Sequence, residues 1–178
     1  MHLVTSSIFL PSFVAYLAPS SQEVFLRSYF FVSLAWWIAR GRPILNITQF
    51  FLSTSPSPSP APTSKPPKPH ESAIPSSGAP NPWLPLIANS IVHPNDHHAK
   101  LQRALAHYGM VYGKREAGRG DFKGTELEGA ERLDGTLFVR VAGLTDEKLG
   151  RVREGEESKS WDRTGFYQSE EKMERRSF

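Results

Sequence analysis

Residues able to do acid–base chemistry are concentrated in one stretch. Between His93 and Gly113 the sequence reads HPNDHHAKLQRALAHYGMVYG and holds four of the six histidines of the chain. Imidazole is the side chain whose charge changes nearest neutral pH, so such a cluster suits proton transfer. Wound as a helix, the stretch places Leu101, Ala104, Leu105, Tyr108, Val111 and Tyr112 on one face, with His97 near its middle. That position makes His97 the first candidate for a pocket acid or base. The ordinary alternative is a core histidine with one hydrogen bond. Arg103 and His107 stand one turn apart on a polar stripe that also carries Asp96 and Lys100. They could orient a phenolate or carboxylate, or simply face solvent. His93 and His97 have the four-residue spacing of a helical metal-ligand pair, but Pro94 sets His93 outside the helix. A third ligand would have to come from Asp96, Glu126 or Glu128, and no metal site is expected.

The positioning elements read as helices. Asp96 favours the positive end of the helix dipole and pairs with Lys100 four residues on. Upstream, Asn81 and Pro82 suit the start of a short helix carrying Trp83, Leu84, Leu86, Ile87 and Ile91, interrupted or shifted by Pro85. Nearer the N-terminus, Ser20 and Glu23 have capping-box spacing before a helix running to about Arg40, with Gly41 and Pro43 as stop signals. This helix is apolar on nearly every side, a pattern that requires cover all round. Its uncharged core, Ser28–Ala39, falls short of the roughly 20 residues that span a bilayer, so membrane insertion is not expected. Residues 53–82 contain ten prolines and eight serines and read as a disordered linker. Thr136–Val141 has strand-like branching, yet Asp134 can cap a helix there, and propensity leaves the choice open.

Composition narrows the function classes. The net charge of +3 is spread among interleaved acidic and basic residues, which describes a solvated surface and not a nucleic-acid stripe. Without cysteine there is neither a disulfide framework nor a thiolate nucleophile, and a cytoplasmic location is expected. Gly118-Arg119-Gly120 is only a fragment of a dinucleotide fingerprint, with no strand before it, and no G-x-S-x-G elbow or phosphate loop is present.

Several blocks taken in order are less anonymous. SFVAYLAPSSQEVFLRSYFFVSLAWWIARGRP, HPNDHHAKLQRALAHYG, GTELEGAERLDGTLFVRVAGLT and WDRTGFY together resemble the C-terminal part of fungal questin oxidase-like proteins. The resemblance covers about residues 9–52 and 83–167. It implies an all-α fold, with helix for Thr136–Val141, laid out as an apolar helical segment (1–52), the linker (53–82), a helical C-terminal part (83–150) and a charged, mostly irregular tail (151–178). It also implies an NADPH- and oxygen-dependent Baeyer–Villiger-type oxidation of an aromatic polyketide such as an anthraquinone. Family members are longer, so a partial or truncated member is expected, with the apolar N-terminal helix open to a protein partner. The second expectation, of a different class, is a non-catalytic helical interaction protein with a proline-rich tether.

Overall fold

A computed structural model describes residues 1–57 and 81–161. Most of the proline-rich segment and the end of the charged tail, with Phe166 and Tyr167, lie outside the described residues. Among those described, every regular element is helical: α1 (His2–Ser7), α2 (Leu10–Tyr16), α3 (Pro19–Ala39), α4 (Ile47–Ser53), α5 (Trp83–Val92), α6 (Asp96–Tyr112) and α7 (Leu137–Leu149), with short 3-10 turns between and after them. The chain divides into two compact units, one built on residues 46–160 with Met1 and 3–5, the other on His2, residues 6–45 and Trp161.

In the unit containing α3, Pro19 opens the helix, where its missing N–H costs nothing, and Ala18 precedes it without a side-chain cap. The expected Ser20 cap is therefore corrected: proline sets the start two residues earlier. Gly41 adopts the left-handed conformation, φ 83°, and ends the helix as its position predicts. The Gln22 side-chain amide ties α3 to the preceding turn by donating to the carbonyls of Val14 (3.0 Å) and Leu17 (2.9 Å). Phe13 and Phe25 pack ring against ring at 5.7 Å. None of the residues of α3 is buried, and Phe30 and Phe31 are each 62% exposed. No helix among the described residues is long and apolar enough to cross a membrane.

The other unit holds the core. α6 packs against α5 and α7, and Leu86, Leu101, Leu105, Val139, Ala142 and Leu149 are buried between them. Of the two expected effects of Pro85, interruption or shift, the interruption does not occur: α5 runs unbroken through it, because proline in the first turn removes an N–H that has no helical partner. Asn81 accepts from the Trp83 N–H at 3.0 Å, but the cap position itself falls on Pro82 and the helix starts at Trp83, one residue later than a cap at Asn81 would place it. Trp83 lies over Gly109 so closely that a Cβ there would overlap its ring. Thr136–Val141 is helical: Asp134 accepts from the Thr136 N–H (2.8 Å) and hydroxyl (2.6 Å), and α7 follows directly. Arg140 of α7 reaches α4, donating to the Phe51 carbonyl at 3.1 Å and lying 5.0 Å from the Phe51 ring centre.

Candidate functional site

The N-terminal end of α6 carries two carboxylate–imidazole pairs, one outside and one inside. Asn95 caps the helix, its side chain accepting from the His97 N–H at 3.0 Å. Outside, the His97 Nδ1–H donates to Asp96 Oδ1 at 2.8 Å, leaving Nε2 as the basic nitrogen of that tautomer. Lys100 holds the other oxygen of Asp96 at 2.5 Å, and that hydrogen bond, first among the causes, keeps the Asp96 carboxyl below its usual range. The His97 side chain is 39% exposed.

Inside, His98 is fully buried and donates from Nε2 to Asp146 Oδ1 of α7 at 2.7 Å. Gln102, one turn further along α6, donates to the same oxygen at 2.7 Å and to the Ala142 carbonyl at 2.9 Å. The His93 ring stacks on His98, their centres 4.3 Å apart and their planes 15° from parallel. Its nitrogens have opposite roles. Nδ1 accepts from the Asn95 N–H at 3.1 Å, so Nε2 carries the hydrogen and donates to the Leu149 carbonyl at 3.3 Å. Burial, ahead of every other cause, pulls the His93 pKa below its ordinary 6.5.

The same network binds the segment after α7. Asn89 of α5 accepts from the Arg153 N–H at 3.0 Å and donates to the Gly150 carbonyl at 3.4 Å. Arg153 is buried and paired with Glu154 at 2.5 Å, while burial raises the Glu154 carboxyl above its usual value. The charged run after Gly150, expected to be mostly irregular, opens with a 3-10 turn, Val152–Glu154, whose arginine points inward.

The wheel reading of His97 needs correction. The buried stripe of α6 is His98, Leu101, Gln102, Ala104 and Leu105, so its centre lies closer to His98. Successive residues are about 100° apart around the axis, which turns His97 to the margin. Arg103 is exposed, and His107 is half-buried with its ring edge-on to Tyr108 at 5.3 Å. Helical spacing keeps Arg103 and His107 on one face and leaves His97 off it. The buried His98, Gln102 and Asp146 do not stand out in the sequence because a face drawn through Leu101, Ala104, Leu105, Tyr108, Val111 and Tyr112 is centred nearer His97. The i, i+3, i+4, i+7 series of 98, 101, 102 and 105 carried the signal.

The two pairs differ in what they can do. His98 and Asp146 lie where no substrate reaches them in this arrangement, so they lock α6 to α7. His97 and Asp96 present a titratable ring at the surface, held by a carboxylate that Lys100 keeps ionised. No group of three or more histidine and carboxylate side chains among the described residues is arranged to hold a metal.

Comparison with known proteins gives one result. A family model described as questin oxidase-like matches residues 1–105, which places its boundary inside α6. No curated protein and no solved structure matches the chain.

Proposed function

Because the chain belongs to the questin oxidase-like family, we propose that it is an oxidoreductase of that type, acting in the cytoplasm on an aromatic polyketide such as an anthraquinone. The single observation that carries this reading is the family match over residues 1–105. In the proposed Baeyer–Villiger-type reaction one atom of dioxygen enters between a carbonyl carbon and its ring neighbour. The other leaves as water, with two electrons supplied by NADPH.

The described residues do not form a dinucleotide cradle. There is no strand among them, and Gly118-Arg119-Gly120 leads into the three-residue turn Gly120–Phe122 instead of a helix. NADPH therefore stands in the proposal as the reductant, and the roles assigned to this chain concern the substrate alone. His97 accepts a phenolic proton at Nε2, with Asp96 fixing its tautomer through Nδ1. Arg103 and His107, on another face of α6, would orient an oxyanion of the same substrate only if it wraps the helix or a partner completes the pocket.

The test is incubation of the purified chain with NADPH, dioxygen and a questin-like anthraquinone. Expected are substrate-dependent NADPH oxidation and a product heavier by one oxygen atom, labelled when ¹⁸O₂ is supplied. No turnover across a panel of aromatic polyketides at saturating NADPH would overturn the oxidoreductase reading.

The exposed apolar surface of α3 favours a second reading, a non-catalytic protein that binds a protein partner through that helix. It predicts a complex lost on replacing Phe30 and Trp36 by serine, with no NADPH consumption by either form.

A further inference from the structure

The loop between α6 and α7 borders an open surface depression of about 230 Å³ that the proposed reaction does not use. Its shape follows from the glycines. Gly118, Gly124 and Gly129 take positive φ of 73°, 83° and 80°, giving three reversals in twelve residues, and the Gly118 N–H closes the loop by donating to the Glu131 carbonyl at 2.8 Å. Phe122, Leu127 and the buried Ala130 supply apolar lining. Phe122 is held from one side by the Arg115 guanidinium, 5.0 Å from the ring centre, and Arg115 is fixed in turn by Asp121. The Arg115 hydrogen bond, with lesser help from the charges of Arg115 and Arg119, keeps the Asp121 carboxyl ionised to below the usual pH.

Two cations remain on the lining, Arg119 and Lys123, and neither takes part in any ion pair among the described residues. One carboxylate, Glu131, opposes them. Thr125 Oγ1 accepts from the Leu127 N–H at 3.2 Å, which leaves its hydroxyl hydrogen to donate. A Cβ built on Gly118 or Gly120 meets nothing within 4 Å, so the rim is open.

We propose that this depression is a binding site for a small aromatic monoanion, a single ring bearing a carboxylate or phenolate. The volume falls below the roughly 300–1,000 Å³ of clefts that enclose drug-sized ligands, so the depression seats about one ring. Phe122 and Leu127 take the ring, while Arg119, Lys123 and the Thr125 hydroxyl take the charged end. Discrimination comes from the pairing of Phe122 and Leu127 with two cations that no carboxylate holds in a contact ion pair among the described residues.

Benzoate titrated into the full chain, followed by amide chemical shifts, tests the proposal. Saturable shifts confined to residues 118–131 are expected, with binding about tenfold weaker in Arg119→Ala/Lys123→Ala, the effect of removing two exposed charges. Arg119→Lys/Lys123→Arg should retain most of the affinity. Benzyl alcohol, which keeps the ring without the charge, and inorganic phosphate, which keeps charge without the ring, should each bind at least tenfold more weakly. No saturable shift with benzoate overturns the site. Equal affinity in the alanine double variant, or for either comparison ligand, overturns its chemistry. Both substitutions lie on an exposed loop, and unchanged circular dichroism separates lost binding from lost folding.

Discussion

His98 and Asp146 face each other across the α6–α7 interface, with imidazole Nε2 and carboxylate Oδ1 2.7 Å apart and both side chains shielded from water. The same carboxylate oxygen accepts from Gln102, so one acidic group on α7 satisfies two donors on α6. Removing it leaves the His98 Nε2–H and one of the two Gln102 amide hydrogens without an acceptor in the core, the other still reaching the Ala142 carbonyl. Asp146→Ala is expected to lower unfolding free energy by about 3–5 kcal/mol, as for other broken buried pairs. Asp146→Asn retains an acceptor and should cost less. Urea unfolding midpoints at constant m-value check the order; an alanine variant as stable as the wild type would show that the pair contributes nothing.

His93 predicts a pH dependence. Its folded pKa lies below 6.5, so between the two values the unfolded state binds more protons than the folded one. Its contribution is complete above about pH 6.5 and is lost as pH falls through the folded value. A proton on Nδ1 would also confront the Asn95 N–H with a second donor, while the stacked His98 adds repulsion and Asp146 partly offsets it. Stability measured from pH 7.5 to 5 should fall more steeply in the wild type than in His93→Gln.

Gly109→Ala tests the fit of α5 against α6. Alanine favours an isolated helix by about 1 kcal/mol over glycine. Here its methyl group would enter the space of the Trp83 ring, which is too stiff to bend aside. Overpacking of this kind costs about 1–3 kcal/mol, so a net loss of stability is expected in thermal unfolding. Trp83→Leu in the same chain should recover part of it.

His97→Gln separates chemistry from folding. The side chain is partly exposed and contacts Asp96, so unfolding should move by less than about 0.5 kcal/mol. If His97 is the acid–base group, turnover falls about 10²–10⁴-fold. Turnover retained by the variant would remove that role from His97.

Much of the helical layout was legible because its signals are local. Gly41 ends α3, Asn81 and Pro82 lead into α5, and the periodicity of Leu101, Ala104 and Leu105 marks α6. α1, α2 and α4 escaped notice because each is seven residues or shorter, too brief to show a period. The inward stripe of α6 was displaced for a different reason. A wheel centred on the aliphatic and tyrosine residues alone leaves out His98 and Gln102, which are buried by a partner more than forty residues away, and no local pattern announces Asp146. Arg153 was hidden likewise, since its inward position depends on Asn89 and the turn after Gly150.

The family match ends at residue 105, whereas the polar network crosses that point: His93, His98 and Gln102 lie before it, Asp146 and the Leu149 carbonyl after it. A recombinant piece cut at the matched boundary would carry two donors into an interface stripped of its acceptor and would expose Leu101 and Leu105. Excision for solution work should therefore keep the chain through Ser160, so that the tract beyond the matched part acts as an intramolecular cofolding factor for the end of the tract inside it.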